Sequence, residues 1–219
     1  MTFSHTQLSN IPKTLSDPRF TTYLQHCDNS KELALQLYQW NLELSSAFIV
    51  PLHFLEISIR NAVVEGIESV HAPNWAWNQG YIRSLPNPSK GYSPQRDLQE
   101  VAKKQPTIGK VVAELKFVFW EKMFTSRHDG LLWNHHIKNV FPHAPSSMSV
   151  SQLRAAIHND IFTIRKLRNR IAHHEPIFLR DSQGEYNKIH ELVSWRDEAT
   201  SDWMNDIQSV TRLISEKPG

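Results

Sequence analysis

One stretch limits the fold more than any other: LRAAIHNDIFTIRKLRNRIAHHEP, from Leu153 to Pro176. Ser149 and Gln152 form an S-x-x-Q capping box ahead of it. No Gly or Pro interrupts it before Pro176, whose ring disfavours helical geometry at Glu175. Ile157, Ile161, Ile164, Leu167 and Ile171 recur at helical spacing and predict one long helix with a packed face. At about 100° per residue, Arg168 falls in the middle of that apolar arc. A charge is tolerated there when it is paired or opens on a cleft. Asn169 and His173 lie one turn apart on the flank, and His173 is in the last turn, where unpaired carbonyl groups attract a cation. On spacing alone the plainer reading is a core helix with a polar tail, its Arg snorkelling outward.

The rest of the chain also reads as helix, with no convincing period-two strands. Residues 1–15 are polar and predict a flexible arm, either docked on the domain or partly disordered. Ser16-Asp17-Pro18 starts a helix with Phe20, Tyr23 and Leu24 on one face, and Asp28-Asn29-Ser30 ends it. The next helix carries Leu33, Leu37, Trp40, Leu44 and Phe48. Pro51 either kinks it or sits in the first turn of another helix over 52–70. There Glu56 precedes Arg60 by four, the favourable order for an ion pair, and both lie close enough to the apolar stripe to be semi-buried. Pro86, Pro88, Gly91 and Pro94 predict an exposed loop over 84–97, with Trp75, Trp77 and Tyr81 either anchoring it or stacking on bases. Residues 108–124 read as one helix with Val112, Leu115, Phe119 and Met123 inward, and another begins near Asp129. DSQGEYN at 181–187 reads as a turn from which Asn187 caps a helix; Trp203, Ile207, Val210 and Ile214 stripe the last one. The expectation is an all-α single domain over 1–219.

Composition narrows the chemistry. A net charge of +2 with a pI of 8.7 is compatible with nucleic acid without requiring it. Cys27 is the only cysteine, which rules out an intramolecular disulfide or a thiolate zinc cluster and suits a reducing compartment. MTFSHTQLSN lacks the basic and apolar regions of a signal peptide, and no apolar run reads as a membrane span, so a cytoplasmic location without a membrane partner is expected. There is no P-loop, G-x-G-x-x-G, H-E-x-x-H or G-x-S-x-G. His135 and His136 are adjacent on a predicted helix and point about 100° apart, a poor arrangement for one ion. No metal and no cofactor is expected.

Several strings carry a family resemblance: LYQWN at 37–41, LSSAF at 44–48, LEISIRNA at 55–62, AELKFVFW at 113–120 and LRNRIAHHEPIF at 167–178. Together they resemble the Abi-like (abortive infection) branch of the HEPN superfamily, from about Tyr38 to about Trp203. Arg168 through His173 matches that superfamily's Arg-x4–6-His motif. The resemblance implies a HEPN-like helical bundle with extra N- and C-terminal helices. It also implies a homodimer whose two motifs face one cleft, and metal-independent RNA cleavage leaving 2′,3′-cyclic phosphate and 5′-hydroxyl ends. Carried onto this chain, His173 is the general acid/base, Arg168 steadies the phosphate and Asn169 orients the imidazole or the phosphate by hydrogen bonding. Glu56, Arg60 and Asn61 support Arg168 from a facing helix, while Arg165, His174 and Glu175 contribute to the RNA-binding cleft. The chemistry is coherent: an imidazole moves the 2′-hydroxyl or leaving-group proton, and a guanidinium fork stabilises charge growing on phosphate. On an ideal helix, however, Arg168 and His173 point about 140° apart. Either the helix end unwinds or a second subunit completes the site. The implied function is an RNA endonuclease toxin of a phage-defence or toxin–antitoxin system, acting on tRNA or other cellular RNA and held in check by an RNA or protein antitoxin. A catalytically silent RNA-binding or protein-interaction module is the alternative.

Overall fold

The structure, a computed structural model, describes residues 3–218. They form α1 (His5–Thr14), α2 (Asp17–His26), α3 (Lys31–Ala47), α4 (Ile49–Glu68), α5 (Gln79–Ser84), α6 (Pro94–Lys104) and α7 (Ile108–Glu114). Then follow α8 (Phe117–Met123), α9 (Asn134–Val140), α10 (Val150–Ala172), α11 (Ser182–Arg196), α12 (Glu198–Ile207) and α13 (Val210–Ser215). No strand occurs among the described residues, and the fold is all-α.

Two helices occupy the centre. In α10 the Ser149–Gln152 capping box is formed on both sides, and Leu153, Ile157, Ile161, Ile164 and Leu167 are buried. In α4 the buried stripe is Leu52, Leu55, Ile59, Ala62, Val63 and Ile67. Each such Leu or Ile contributes about 1.5–3 kcal/mol by leaving water. Both helices pack against α8, α9 and α11, which brings the exposed flank of α4 beside the C-terminal half of α10. Pro51 stands in the first turn of α4, where its missing N–H has no intrahelical role. Taken together, Lys31–Glu68 is long and apolar enough to cross a membrane by length and composition, which the sequence reading did not register. In the fold that stretch is divided between α3 and α4, and Leu44, Phe48, Leu52, Leu55 and Ile59 lie in the protein core.

Several local expectations need correction. The arm over 1–15 is helical from His5 to Thr14, because Ser4 and Gln7 make a reciprocal capping box; Met1 and Thr2 lie outside the described residues. The loop over 84–97 ends early: Ser93 caps α6 and Pro94 occupies its first turn. Trp75 and Tyr81 are buried, and the Trp77 indole donates to the Ala102 carbonyl at 2.9 Å, so these aromatics anchor the segment. The helix over 108–124 breaks at Leu115 and Lys116, whose backbones are extended. Phe117, Phe119 and Trp120 are all buried, and one continuous helix could not turn all of them and Val111 inward. The turn at 181–187 is the opening of α11, with Asp181 rather than Asn187 as cap. Asp181 accepts from the Gly184 N–H, and a Cβ at Gly184 would collide with the Asp181 carboxylate. The last helix is two, α12 and α13, and Trp203 and Ile207 are exposed.

Candidate functional site

Arg168 emerges from α10 into a hollow of about 370 Å³ between α10 and α4. Ile49, Leu52, His53, Glu56, Ile57, Arg60, Ile171 and Ala172 form its other walls. Its side chain is 42% exposed, so the central place predicted in the apolar arc becomes the open edge of the packed face. Arg168 Nε donates to Glu56 Oε1 at 3.2 Å, and Arg60 donates to Glu56 Oε2 at 2.9 Å. Glu56, only 16% exposed, therefore bridges Arg60 of α4 and Arg168 of α10. Half-burial makes this network stiffer than an exposed helical pair, because side-chain freedom is already restricted. Arg60 Nε is buried without an acceptor. Asn61 is exposed and does not line the hollow, so its predicted support of Arg168 has no contact behind it.

Past Arg168 the helix ends in a Schellman closure. His174 N–H donates to the Ile171 carbonyl at 3.0 Å, and Glu175 N–H to the Arg170 carbonyl at 2.8 Å. His173 is the C-cap and His174 takes the left-handed position, with φ 55°. Glycine is usual there, and a side chain at such a φ costs about 1 kcal/mol. Replacing His174 by Gly is thus expected to leave the fold as stable or to stabilise it by up to about 0.6 kcal/mol in urea unfolding, once the greater flexibility of unfolded glycine is subtracted. A lower unfolding midpoint would show that the imidazole helps hold the closure. Any loss of function in a variant of raised stability would belong to the side chain's chemistry.

The segment after the closure is tied down from four directions. Arg19 donates to the His174 carbonyl at 3.1 Å, and Arg170 to the Pro176 carbonyl at 3.0 Å while also pairing with Glu175 at 3.2 Å. The Asn41 side-chain carbonyl accepts from both Ile177 N–H at 2.8 Å and Phe178 N–H at 3.1 Å, and Lys217 donates to the Phe178 carbonyl at 2.9 Å. Nearby, burial raises the Glu185 carboxyl's pKa against the opposing hydrogen bond from Arg180. His173 and His174 are exposed on this fixed corner. Neither lines the hollows that Arg168 enters from the same chain.

Arg165 and Asn169 turn to the other flank of α10. They form a second hollow of about 280 Å³ with Arg168, Lys116, Phe117 and Val118. Arg165 is bonded to Glu121, which is fully buried and also accepts from Lys122 at 3.0 Å. Among the described residues, no three His, Cys, Asp or Glu side chains gather where they could share a metal ion.

Sequence reasoning missed Asn41, Glu121 and Lys116. Asn41 had a signal: it stands between Leu37 and Leu44 at core spacing, and a polar residue there needs a dedicated partner. Glu121 and Lys116 had none, because their roles depend on the break between α7 and α8. The class defined by fold and site is an all-α protein with an arginine-bearing, carboxylate-braced hollow beside an exposed His-His helix end. No family model matches the chain, and no curated protein or solved structure does either.

Proposed function

We propose that the chain is an Abi-like HEPN protein and a metal-independent RNA endonuclease, acting as a cytoplasmic toxin in phage defence or a toxin–antitoxin system. The observation that carries this reading is Arg168: it is braced by Glu56 yet open to solvent rather than sealed in the core. A braced but accessible guanidinium can hold a phosphate with little further loss of side-chain freedom. His173, exposed at the fixed end of the same helix, supplies the proton-transfer group. In the proposed reaction the RNA's own 2′-hydroxyl attacks the adjacent phosphorus and the bond to the 5′-oxygen breaks. One imidazole takes the hydroxyl proton, or gives one to the departing oxygen.

Because His173 lines neither hollow that Arg168 of the same chain enters, the reading calls for a homodimer that juxtaposes Arg168 of one chain with His173 of the other. The exposed apolar residues Ile49 and Ile57 beside the Arg168 hollow, with Trp203 and Ile207 across α4, support such an association. An RNA or protein antitoxin would act by covering the same surface. A catalytically silent RNA-binding module is the second reading. It is favoured by the separation of the imidazoles from the Arg168 hollow within one chain. The test is to incubate the purified protein with total cellular RNA in excess chelator and analyse the new ends. Fragments ending in 2′,3′-cyclic phosphate are expected. RNA retained but uncut would favour the second reading, and RNA neither cut nor retained would contradict both.

A further inference from the structure

Three cations gather at the second hollow, Arg165 and Arg168 from α10 and Lys116 from the break between α7 and α8. Lys116, Arg165 and Arg168 all line the second hollow, and no carboxylate shares its wall. Each is also paired with an acid of low exposure outside this hollow, Lys116 with Asp97 in a neighbouring hollow that Glu100 shares. Arg165 is bonded to Glu121 at 0% exposure, Lys116 reaches Asp97 (5% exposed) at 3.2 Å, and Arg168 is bonded to Glu56. Asp97 is itself fixed by the Tyr92 hydroxyl, which donates to it at 2.7 Å. Both arginines use Nε for this pairing, and among the described residues their Nη groups donate to no protein acceptor. The Asn169 amide completes the wall. Three cationic side chains and an amide around a wall that holds no carboxylate suit the two non-bridging oxygens of a phosphodiester.

We propose that this hollow binds the RNA backbone phosphate next to the one being cleaved, with Lys116, Arg165 and Asn169 as ligands and Arg168 shared between the two phosphates. The proposal rests on the RNA reading above but concerns binding, so it is tested without cleavage. A short 2′-O-methyl oligonucleotide has no attacking hydroxyl and can be titrated over a salt series against the full chain. Lys116→Gln is expected to weaken binding several-fold at low salt and to make the log-affinity against log-salt slope shallower by about 0.7, the value for one lost single-strand contact. Lys116→Arg is expected to retain the slope. The Lys116 side chain is 67% exposed, and a thermal melt of both variants verifies that the fold survives. An unchanged slope in Lys116→Gln, with RNA still bound, would overturn this subsite and leave the nuclease reading intact. Failure of the wild-type chain to bind the oligonucleotide at all would overturn both.

Discussion

Replacing His173 by Ala is expected to lower chelator-resistant RNA cleavage by about 10²–10⁴-fold while leaving the unfolding midpoint nearly unchanged. The side chain is exposed and makes no hydrogen bond among the described residues; only its backbone N–H, donated to the Asn169 carbonyl at 2.9 Å, closes the helix. Alanine keeps that N–H, so structure and chemistry separate cleanly at this position. Arg168 is less clean, because removing it leaves half-buried Glu56 with Arg60 as its remaining partner. Full cleavage by the His173→Ala chain would move the proton-transfer role to His174 or remove it from this helix end altogether.

The largest stability effect is expected at Asn41. Substitution by Leu leaves the Ile177 and Phe178 N–H groups buried with no acceptor, since the structure gives them none but the Asn41 carbonyl. At about 1–3 kcal/mol for each orphaned donor, offset in part by the apolar side chain introduced, the loss should be about 2–4 kcal/mol in urea unfolding. The same change frees the segment that follows the histidines, so any cleavage activity should fall further than the unfolded fraction alone explains. A loss below 1 kcal/mol would mean that the two N–H groups find other acceptors and that the corner is not held by α3.

Much of the fold was legible in the chain. The capping box at Ser149, the uninterrupted apolar face of α10 and the pairing of Glu56 with Arg60 follow from spacing alone, and each is present. Other features were hidden because their causes lie outside the local window. Arg168 looked central on a helical projection, yet it opens on the hollow between α4 and α10, which only the packing of the two helices creates. The helix over 108–124 looked continuous because its apolar residues suit either arrangement; the break is set by packing of Phe117, Phe119 and Trp120 together. DSQG resembles a turn and starts a helix, since Asp181 caps the glycine that a turn would use. Trp203 and Ile207 fit a buried stripe by period, but the chain bends at Gln208 and leaves them facing outward. Of the site, Arg168, Glu56 and Arg60 came together as anticipated, Asn61 did not, and the cations beyond Arg168 required a fold to be seen.

The central claim is that the guanidinium and the imidazole acting on one phosphate come from different chains. Arg168→Ala and His173→Ala chains carrying different tags can be co-expressed and purified through both tags, so that every dimer holds one of each. Such dimers keep one complete Arg168–His173 pair and should cleave RNA at about half the wild-type rate, although each variant alone is nearly inactive. Mixed dimers no more active than either variant alone, or a failure to recover any doubly tagged dimer, would contradict it.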